Sequence, residues 1–426
     1  MINNPSNWAG NYLYRAAQIH APETVEQVQE LVIRSNKVKA LGTRHSFNDI
    51  ADSSGDLISL ERFDKILGLD RERRTVTVEA GVRYGQLARW LHDAGYALHN
   101  LASLPHISVA GAVATATHGS GDRHGNLATA VSAMELVTGN GELMFLSHEH
   151  DREQFEGAVV GLGGLGVITK LTLDISPTFL MQQDVYENLP FTAVEDYYDE
   201  LTSSLYSVSL FTNWQDSAFN QVWLKRHVLD GMSVKAEPEL FGARLAINNL
   251  HPIATLSAEN CTEQLGVCGP WFERLPHFRM EFTPSSGAEL QSEYFIPRQH
   301  VFAALQAINS MREQIAPLLQ ISEVRTIAAD NLWMSPCYQQ ASVGIHFTWE
   351  QDWENVRNVL PKIEEALAPF HARPHWAKLF TMSPDRLQSL YEKLPDFRQL
   401  LQRYDLQGKF RNEYLDKYIF GMSERR

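Results

Sequence analysis

The chain has 426 residues, 44% of them hydrophobic, with 20 Phe and 9 Trp, which is apolar mass enough for two cores rather than one. Its 37 Lys and Arg stand against 51 Asp and Glu, a formal charge of −14 with no basic run to offset it, so nucleic acid and anionic lipid are excluded as partners. Cys261, Cys268 and Cys337 are too few and too irregularly spaced for a disulfide framework or a four-ligand zinc site, and no metal site is expected.

The polar start from Met1 to Asn11 lacks the basic-then-apolar pattern of an export signal. No apolar run approaches the roughly 18 residues of a membrane span, so a cytoplasmic protein is expected. Thr24 opens a capping box, and Val25, Val28, Leu31 and Val32 repeat at helical spacing after it. The strand that follows breaks at Gly42 into Thr43, Arg44, His45, Ser46, Phe47 and Asn48. Backbone amides in such a turn converge on an anion, most often a phosphate, and His45 stands beside whatever they hold. Residues 56–60 and 75–80 alternate as half-buried strands around a charged turn at 70–74. A helix over 84–95 carries Leu87, Trp90 and Leu91 on one face, with Gly95 at its carboxyl end.

Residues 101–121 are almost all small, which lets backbone approach something large and flat. Within them Ser108 can cap a short helix whose amino end faces that ligand. Gly161, Gly163 and Gly166 satisfy the GxGxxG pattern, but that motif needs a strand before it and a helix after it. Here residues 167–175 alternate as a strand, so the nicotinamide-type reading is rejected and the glycines are read as a tight backbone passage beside a cofactor.

Beyond residue 178 the character changes. Long strands and aromatic-rich stretches occur at 205–214, 222–227, 278–282 and 290–296, and a helix after Pro297 carries Val301, Leu305, Ile308 and Met311 on one face. This second unit reads as an antiparallel sheet with helices on one side. Over 321–327 alternation puts Glu323 and Arg325 on one face, opposite Val324, and His346 pairs with Thr348 in the same way. Such a face suits a small ligand rich in hydroxyls; a solvated sheet face or a structural ion pair is the competing reading. Lys378 sits among aromatic residues, where burial lowers an ammonium pKa.

Asn7-Trp8-Ala9-Gly10-Asn11, His45-Ser46-Phe47-Asn48, residues 102–111, Thr117-His118-Gly119-Ser120-Gly121 and the glycine run at 161–166 occur in that order. Asn260-Cys261-Thr262-Glu263-Gln264, Glu293-Tyr294, Glu323-Val324-Arg325-Thr326, His346-Phe347-Thr348-Trp349, Arg373-Pro374-His375-Trp376 and Gly408-Lys409-Phe410 follow. On these motifs, nearly end to end, the chain resembles the FAD-dependent alditol oxidases, also called xylitol oxidases, of the vanillyl-alcohol-oxidase type, close to the sugar-1,4-lactone oxidases.

The resemblance implies an α+β flavoprotein with an FAD-binding domain at 1–178 and a substrate domain at 179–377, an antiparallel sheet flanked by helices. A carboxyl-terminal segment at 378–426 returns to the first domain. It implies FAD joined covalently to His45, with Gly42, Thr43, Arg44, Ser46, Ser103, Ser108, Gly111, Thr115, His118, Gly119, Gly121, Gly163, Gly166 and Val167 around the cofactor. By the same carry-over Ser103, Glu323, Arg325, Thr348 and Lys378 line a pocket for a polyol such as xylitol or sorbitol. Arg325 and Lys378 then steady a developing alkoxide, and water or His346 takes the proton as hydride leaves C1 for the flavin. Oxygen is the implied acceptor, giving hydrogen peroxide, and the enzyme is expected to act as a monomer. Two other readings stay open: a lactone oxidase or dehydrogenase with a different electron acceptor, and a flavin-binding protein without turnover.

Overall fold

The computed structural model describes residues 6–229, 234–281 and 288–422. Residues 1–5 of the polar start, and Phe282 of the 278–282 stretch, lie outside them.

Strand β1 (Gln18–His20) leads into helix α1 (Val25–Arg34), which begins as its capping residue predicts: Thr24 Oγ1 accepts from Gln27 N at 3.3 Å. Val28, Leu31 and Val32 are buried on one face of α1. Strands β2 (Val38–Leu41) and β3 (Asp56–Ser59) join β1 in a three-stranded parallel sheet of order β1-β3-β2. Because β3 is the central strand, Leu57, Ile58 and Ser59 are buried in succession, which corrects the expected alternation there.

Strands β4 (Ile66–Asp70) and β5 (Thr75–Glu79) start a second, antiparallel sheet, and β5 does alternate, with Val76 and Val78 inside. After helices α2 (Tyr84–Asp93) and α3 (Val109–Ala114) come β6 (Val131–Val137), β7 (Leu143–Ser147), helix α4 (Arg152–Ala158) and β8 (Val167–Asp174). The sheet order is β4-β5-β8-β6-β7. The glycine run thus lies between a helix and a strand, the reverse of the dinucleotide motif it superficially matches.

The second unit is built on a ten-stranded antiparallel sheet. Its long members are β9 (Leu180–Pro190), β10 (Ser207–Thr212), β11 (Ala218–Val228), β12 (Glu289–Pro297), β13 (Leu319–Ile327) and β14 (Ser342–Glu350), arranged β9-β11-β10-β13-β14-β12. One set of alternate residues, including Tyr294, Ile296, Val324, Ile345 and Phe347, packs in a single core with Val194, Leu305, Ile308, Leu360 and Ile363. The latter come from helices α5 (Phe191–Ser203), α6 (Val301–Asn309) and α7 (Trp353–Ala366). Helix α6 stops at Asn309, so Met311 falls beyond the face assigned to it. Residues 278–281 form no strand either; Phe278 makes one bridge to Cys261.

The remaining alternate residues point the other way. Register pairs Phe211 with Glu323, Glu323 with His346, and His346 with Glu293, so four neighbouring strands aim polar or aromatic side chains at one place. Beyond the sheet, helices α8 (Leu394–Tyr404) and α9 (Glu413–Tyr418) lie near the first unit. There Lys409 O accepts from Val38 N at 2.9 Å, and Asn412 Nδ2 donates to the carbonyls of Asp49, Ile50 and Asp52. All three cysteines are free. Among the described residues no helix is long and apolar enough to cross a membrane.

Candidate active site

Between the two units lies a cavity of about 1410 Å³, larger than the roughly 300–1,000 Å³ that suffices for a small ligand. Its first wall begins at the end of β2. There Gly42 allows a close approach, since a Cβ on it would stand 2.7 Å from Ser108 Oγ. The turn after Gly42 and the start of α3 are tied together by Thr43, whose Oγ1 accepts from Ser108 N at 3.2 Å. Ser108 occupies the N-cap position, as expected, but its hydroxyl makes no capping bond and is buried without a partner beside Gly42 and Gly111. Across from them Gly163, at φ +64°, closes the wall, and the buried ammonium of Lys39 donates to Leu162 O and Gly163 O at 3.2 and 3.0 Å.

His45 is held by what surrounds it. Its ring stacks on Trp8, centroids 5.2 Å apart, and Asn7 and Asn11 pin the turn by donating to Ser46 O and Phe47 O. Burial, with His106 nearby, pushes its pKa down to about 4, so the imidazole is neutral, and Nδ1 is buried with no partner. An orphaned neutral imidazole nitrogen and an orphaned serine hydroxyl, in a cavity this size lined by glycine backbone, fit a dinucleotide such as FAD.

The second wall is the polar face of the sheet. Glu293 is fully buried on β12 and takes Lys378 Nζ on Oε2 at 2.7 Å and Arg325 Nη2 on Oε1 at 2.8 Å, with His118 Nε2 3.1 Å from Oε1. Burial opposes ionisation of this carboxyl, but Lys378, His118 and Arg325 outweigh it and hold it well below the usual range. Glu323 lies on β13 with Oε1 2.7 Å from His277 Nε2 and Oε2 3.5 Å from Arg325 Nε, and it too is held ionised against its burial. Ser103 Oγ accepts from Arg325 Nη1 at 3.4 Å. His346 Nε2 meets Gln291 Oε1 at 3.1 Å; the Gln291 amide is oriented by donating to Glu289, so the ring nitrogen is the donor and Nδ1 is left as an acceptor. Burial, with Lys378 close by, drops the His346 pKa well below its ordinary value, so this ring is neutral as well.

Two cations are thus balanced by two carboxylates, yet neither cation is used up. An ammonium has three N–H groups, and Lys378 engages only Glu293 among the described residues. Arg325 Nε is buried without a hydrogen bond. The loop bearing Lys378 is bolted to the histidine turn: Asn48 Nδ2 donates to Trp376 O and Lys378 O, and Phe47 N donates to Ala377 O.

All five residues assigned to the pocket, Ser103, Glu323, Arg325, Thr348 and Lys378, line the cavity together with His346. Their depth disposes of the solvated-face reading, since Glu323 and Arg325 are 5% and 6% exposed. Of the residues assigned to the cofactor, Gly42, Thr43, Arg44, His45, Ser46, Ser108, Gly111, Thr115, His118, Gly163 and Gly166 line it too. The Arg44 guanidinium, however, turns out to the Ser6 carbonyl at 3.4 Å. Gly119, Gly121 and Val167 do not line it. Gly119 is required where Leu101 O and Asn100 crowd its Cα, Gly121 bonds to Thr326 O, and Val167 is a core residue of β8.

The pattern reading overlooked Glu293, Gln291, His277 and Lys39. For the first two a signal existed, since Glu289, Gln291 and Glu293 recur at a spacing of two along one strand face. His277 lies in irregular backbone and Lys39 in a short strand, where no period marks them.

Residues 16–147 match the FAD binding domain family, and residues 287–418 match the D-arabinono-1,4-lactone oxidase family. The fold is similar to the crystal structure of cholesterol oxidase from B. sterolicum, with a TM-score of 0.77 at 13% identity, covering 97% of this chain and 96% of that one. These define the class, an FAD-binding oxidoreductase with the vanillyl-alcohol-oxidase fold. Within it the chain is 47% identical over 419 residues to the alditol oxidase of a Streptomyces species, covering 98% of this chain and 99% of that one. The L-gulonolactone oxidase of Scyliorhinus torazame is more distant, 26% identical over 452 residues with 97% and 98% covered. The chain belongs to the alditol oxidase family.

Proposed function

We propose that this protein oxidises the terminal hydroxyl of an alditol such as xylitol or sorbitol to the aldose, with FAD held covalently through His45. The observation that carries the reading is the pair of under-committed cations: Arg325, its Nε without a hydrogen bond, and Lys378, bonded only to Glu293 among the described residues, line the same pocket beside Ser103, Glu323 and Thr348. An alcohol loses its proton only where a developing alkoxide is stabilised, and preorganised cations in a buried site do this without reorganisation. Glu323 accepts hydrogen bonds from the chain hydroxyls, and Ser103 and Thr348 fix the end that reacts. The neutral His346, its Nε2 committed to Gln291, offers Nδ1 to take the hydroxyl proton. When bound, FAD supplies the acceptor for the C1 hydride and passes the electrons to O2, yielding hydrogen peroxide. The neutral imidazole of His45, with Nδ1 unpartnered, suits a covalent link at that nitrogen.

The test is anaerobic mixing of the purified flavoprotein with xylitol or sorbitol while the visible flavin absorbance is followed. Bleaching is expected, with peroxide formed once air is admitted. An intact yellow cofactor with both polyols, together with bleaching by an aldonolactone, would overturn the alditol reading in favour of lactone oxidation.

A further inference from the structure

Lys225 on β11 is 1% exposed, and it is not part of the cavity wall. Its ammonium meets Leu275 O at 2.5 Å, Pro276 O at 3.2 Å and His277 Nδ1 at 3.2 Å. Glu323 is held ionised and a carboxylate only accepts, so the ring proton sits on Nε2 and Nδ1 is left to accept from Lys225, whose own pKa burial pushes down to about 7. That proton points at Glu323 Oε1, 2.7 Å away. Burial and the adjacent Lys225 push the His277 pKa down to about 4, which keeps the ring neutral. Donation therefore runs one way, from Lys225 to His277 to Glu323.

The Asn260–Gln264 stretch, which the catalytic reading left without a role, builds the seat for this relay. Thr262 N donates to His277 O at 2.9 Å, and Thr262 Oγ1 donates to Pro276 O at 2.8 Å. The His277 segment that it seats reaches the first wall, where His277 N and Phe278 N donate to Ser103 O at 3.2 and 3.3 Å. That segment therefore holds both Ser103 and the Glu323 carboxylate.

Glu323 and Arg325 are neighbours on one strand face, and an unrestrained carboxylate there rotates to chelate the guanidinium in a bidentate fork. In the structure it does not: Oε1 is at His277, and Oε2 stays 3.5 Å from Arg325 Nε. Nε is consequently left unbonded. We propose that Lys225 and His277 are positioning residues that hold Glu323 off Arg325, keeping the carboxylate as an acceptor for substrate hydroxyls and setting which polyols bind. The substrate class rests on the alditol reading above.

The experiment compares His277→Leu, His277→Gln and Lys225→Met in the holoenzyme. Loss of a charge-assisted hydrogen bond predicts a polyol KM about 10- to 100-fold higher for His277→Leu, the loss falling on KM more than on kcat. Glutamine sets an amide N–H where the imidazole Nε2–H stood, so His277→Gln recovers most of that affinity, and Lys225→Met shares the defect of the leucine variant. A loss that glutamine does not recover overturns the proposal. Independently of any substrate, ¹⁵N-histidine NMR, with the His277 signal identified by its absence from His277→Gln, should show a neutral Nε2–H tautomer. An Nδ1–H tautomer or an imidazolium there overturns the relay as well. If polyols do not reduce the wild-type flavin, the alditol reading falls and the tautomer still decides the relay.

Discussion

The wall that runs from Gly42 through Ser108 and Gly111 to Gly163 presents backbone, hydroxyls and one neutral histidine, whereas the wall across from it gathers Glu293, Glu323, Arg325 and Lys378 into one buried ionic network. The first is shaped by close backbone approach, and its chemistry is local: a turn, a helix start and a glycine passage each work within a few residues. The second depends on register, because its side chains come from β12, β13 and a loop that only the folded sheet brings within 3 Å of each other. One wall can be damaged a residue at a time; the other fails as a network.

Substitution at His45 is the sharpest way to separate them. His45→Ala should leave no flavin attached after acid precipitation, while the Glu293, Arg325 and Lys378 network, which His45 does not touch, stays intact. Yellow precipitated protein would remove His45 from its role. On the opposite wall Arg325→Ala and Lys378→Met should keep the covalent flavin and slow its reduction by polyol by about 10²–10³, the cost of removing one preorganised charge-bearing donor. Near wild-type reduction in both variants would refute the alkoxide role.

Glu293→Gln probes the network itself. It removes the shared partner of Lys378 and Arg325 and leaves two buried cations with one carboxylate between them. Breaking a buried pair this way costs about 3–5 kcal/mol, so the chemical denaturation midpoint should fall clearly. An unchanged midpoint would mean that water reaches the site and the network is not dry.

The two walls also differ in how legible they were. Gly42 and His45 were read from a strand that breaks into small residues, and Gly163 from a glycine run that leads into a strand; both are local events that sequence displays. Glu323 and Arg325 were found by alternation alone, and alternation could not say whether their face was wet or buried; three further elements decide that. Glu293 was passed over although it carries the same period-two signal, because its cationic partners lie on other elements and are not visible until β12 pairs with β14. Gly119 and Gly121, assigned to the cofactor from a small-residue stretch, stand outside the cavity wall where neighbouring backbone crowds them. His277 had no signal at all: its meaning comes from Lys225, 52 residues earlier.

Acid titration tests the remaining common feature, that histidines on both walls are buried neutral. His45, His277 and the off-site His124 are each pushed from an ordinary 6.5 to about 4, chiefly by burial. Between those values the unfolded chain binds protons that the native state does not, so stability falls as pH drops from 6.5 towards 4 and is flat in this contribution above 6.5. Asp330, pushed up to about 6 by burial, works in the opposite sense, as do Asp49, Asp174, Asp184 and Glu364, but His99, His118, His227, His251, His346 and His375 are lowered by burial as well and add to the loss. The carboxyls of Glu293 and Glu323, held low, extend the loss below pH 4.5. Thermal midpoints should therefore decline steadily from pH 7 to pH 5. His277→Gln should remove up to one proton from that slope, about 1.4 kcal/mol per pH unit, without changing its sign. If the slope is the same in the variant, His277 is already charged in the native protein, and its ring does not hold Glu323 as a neutral donor.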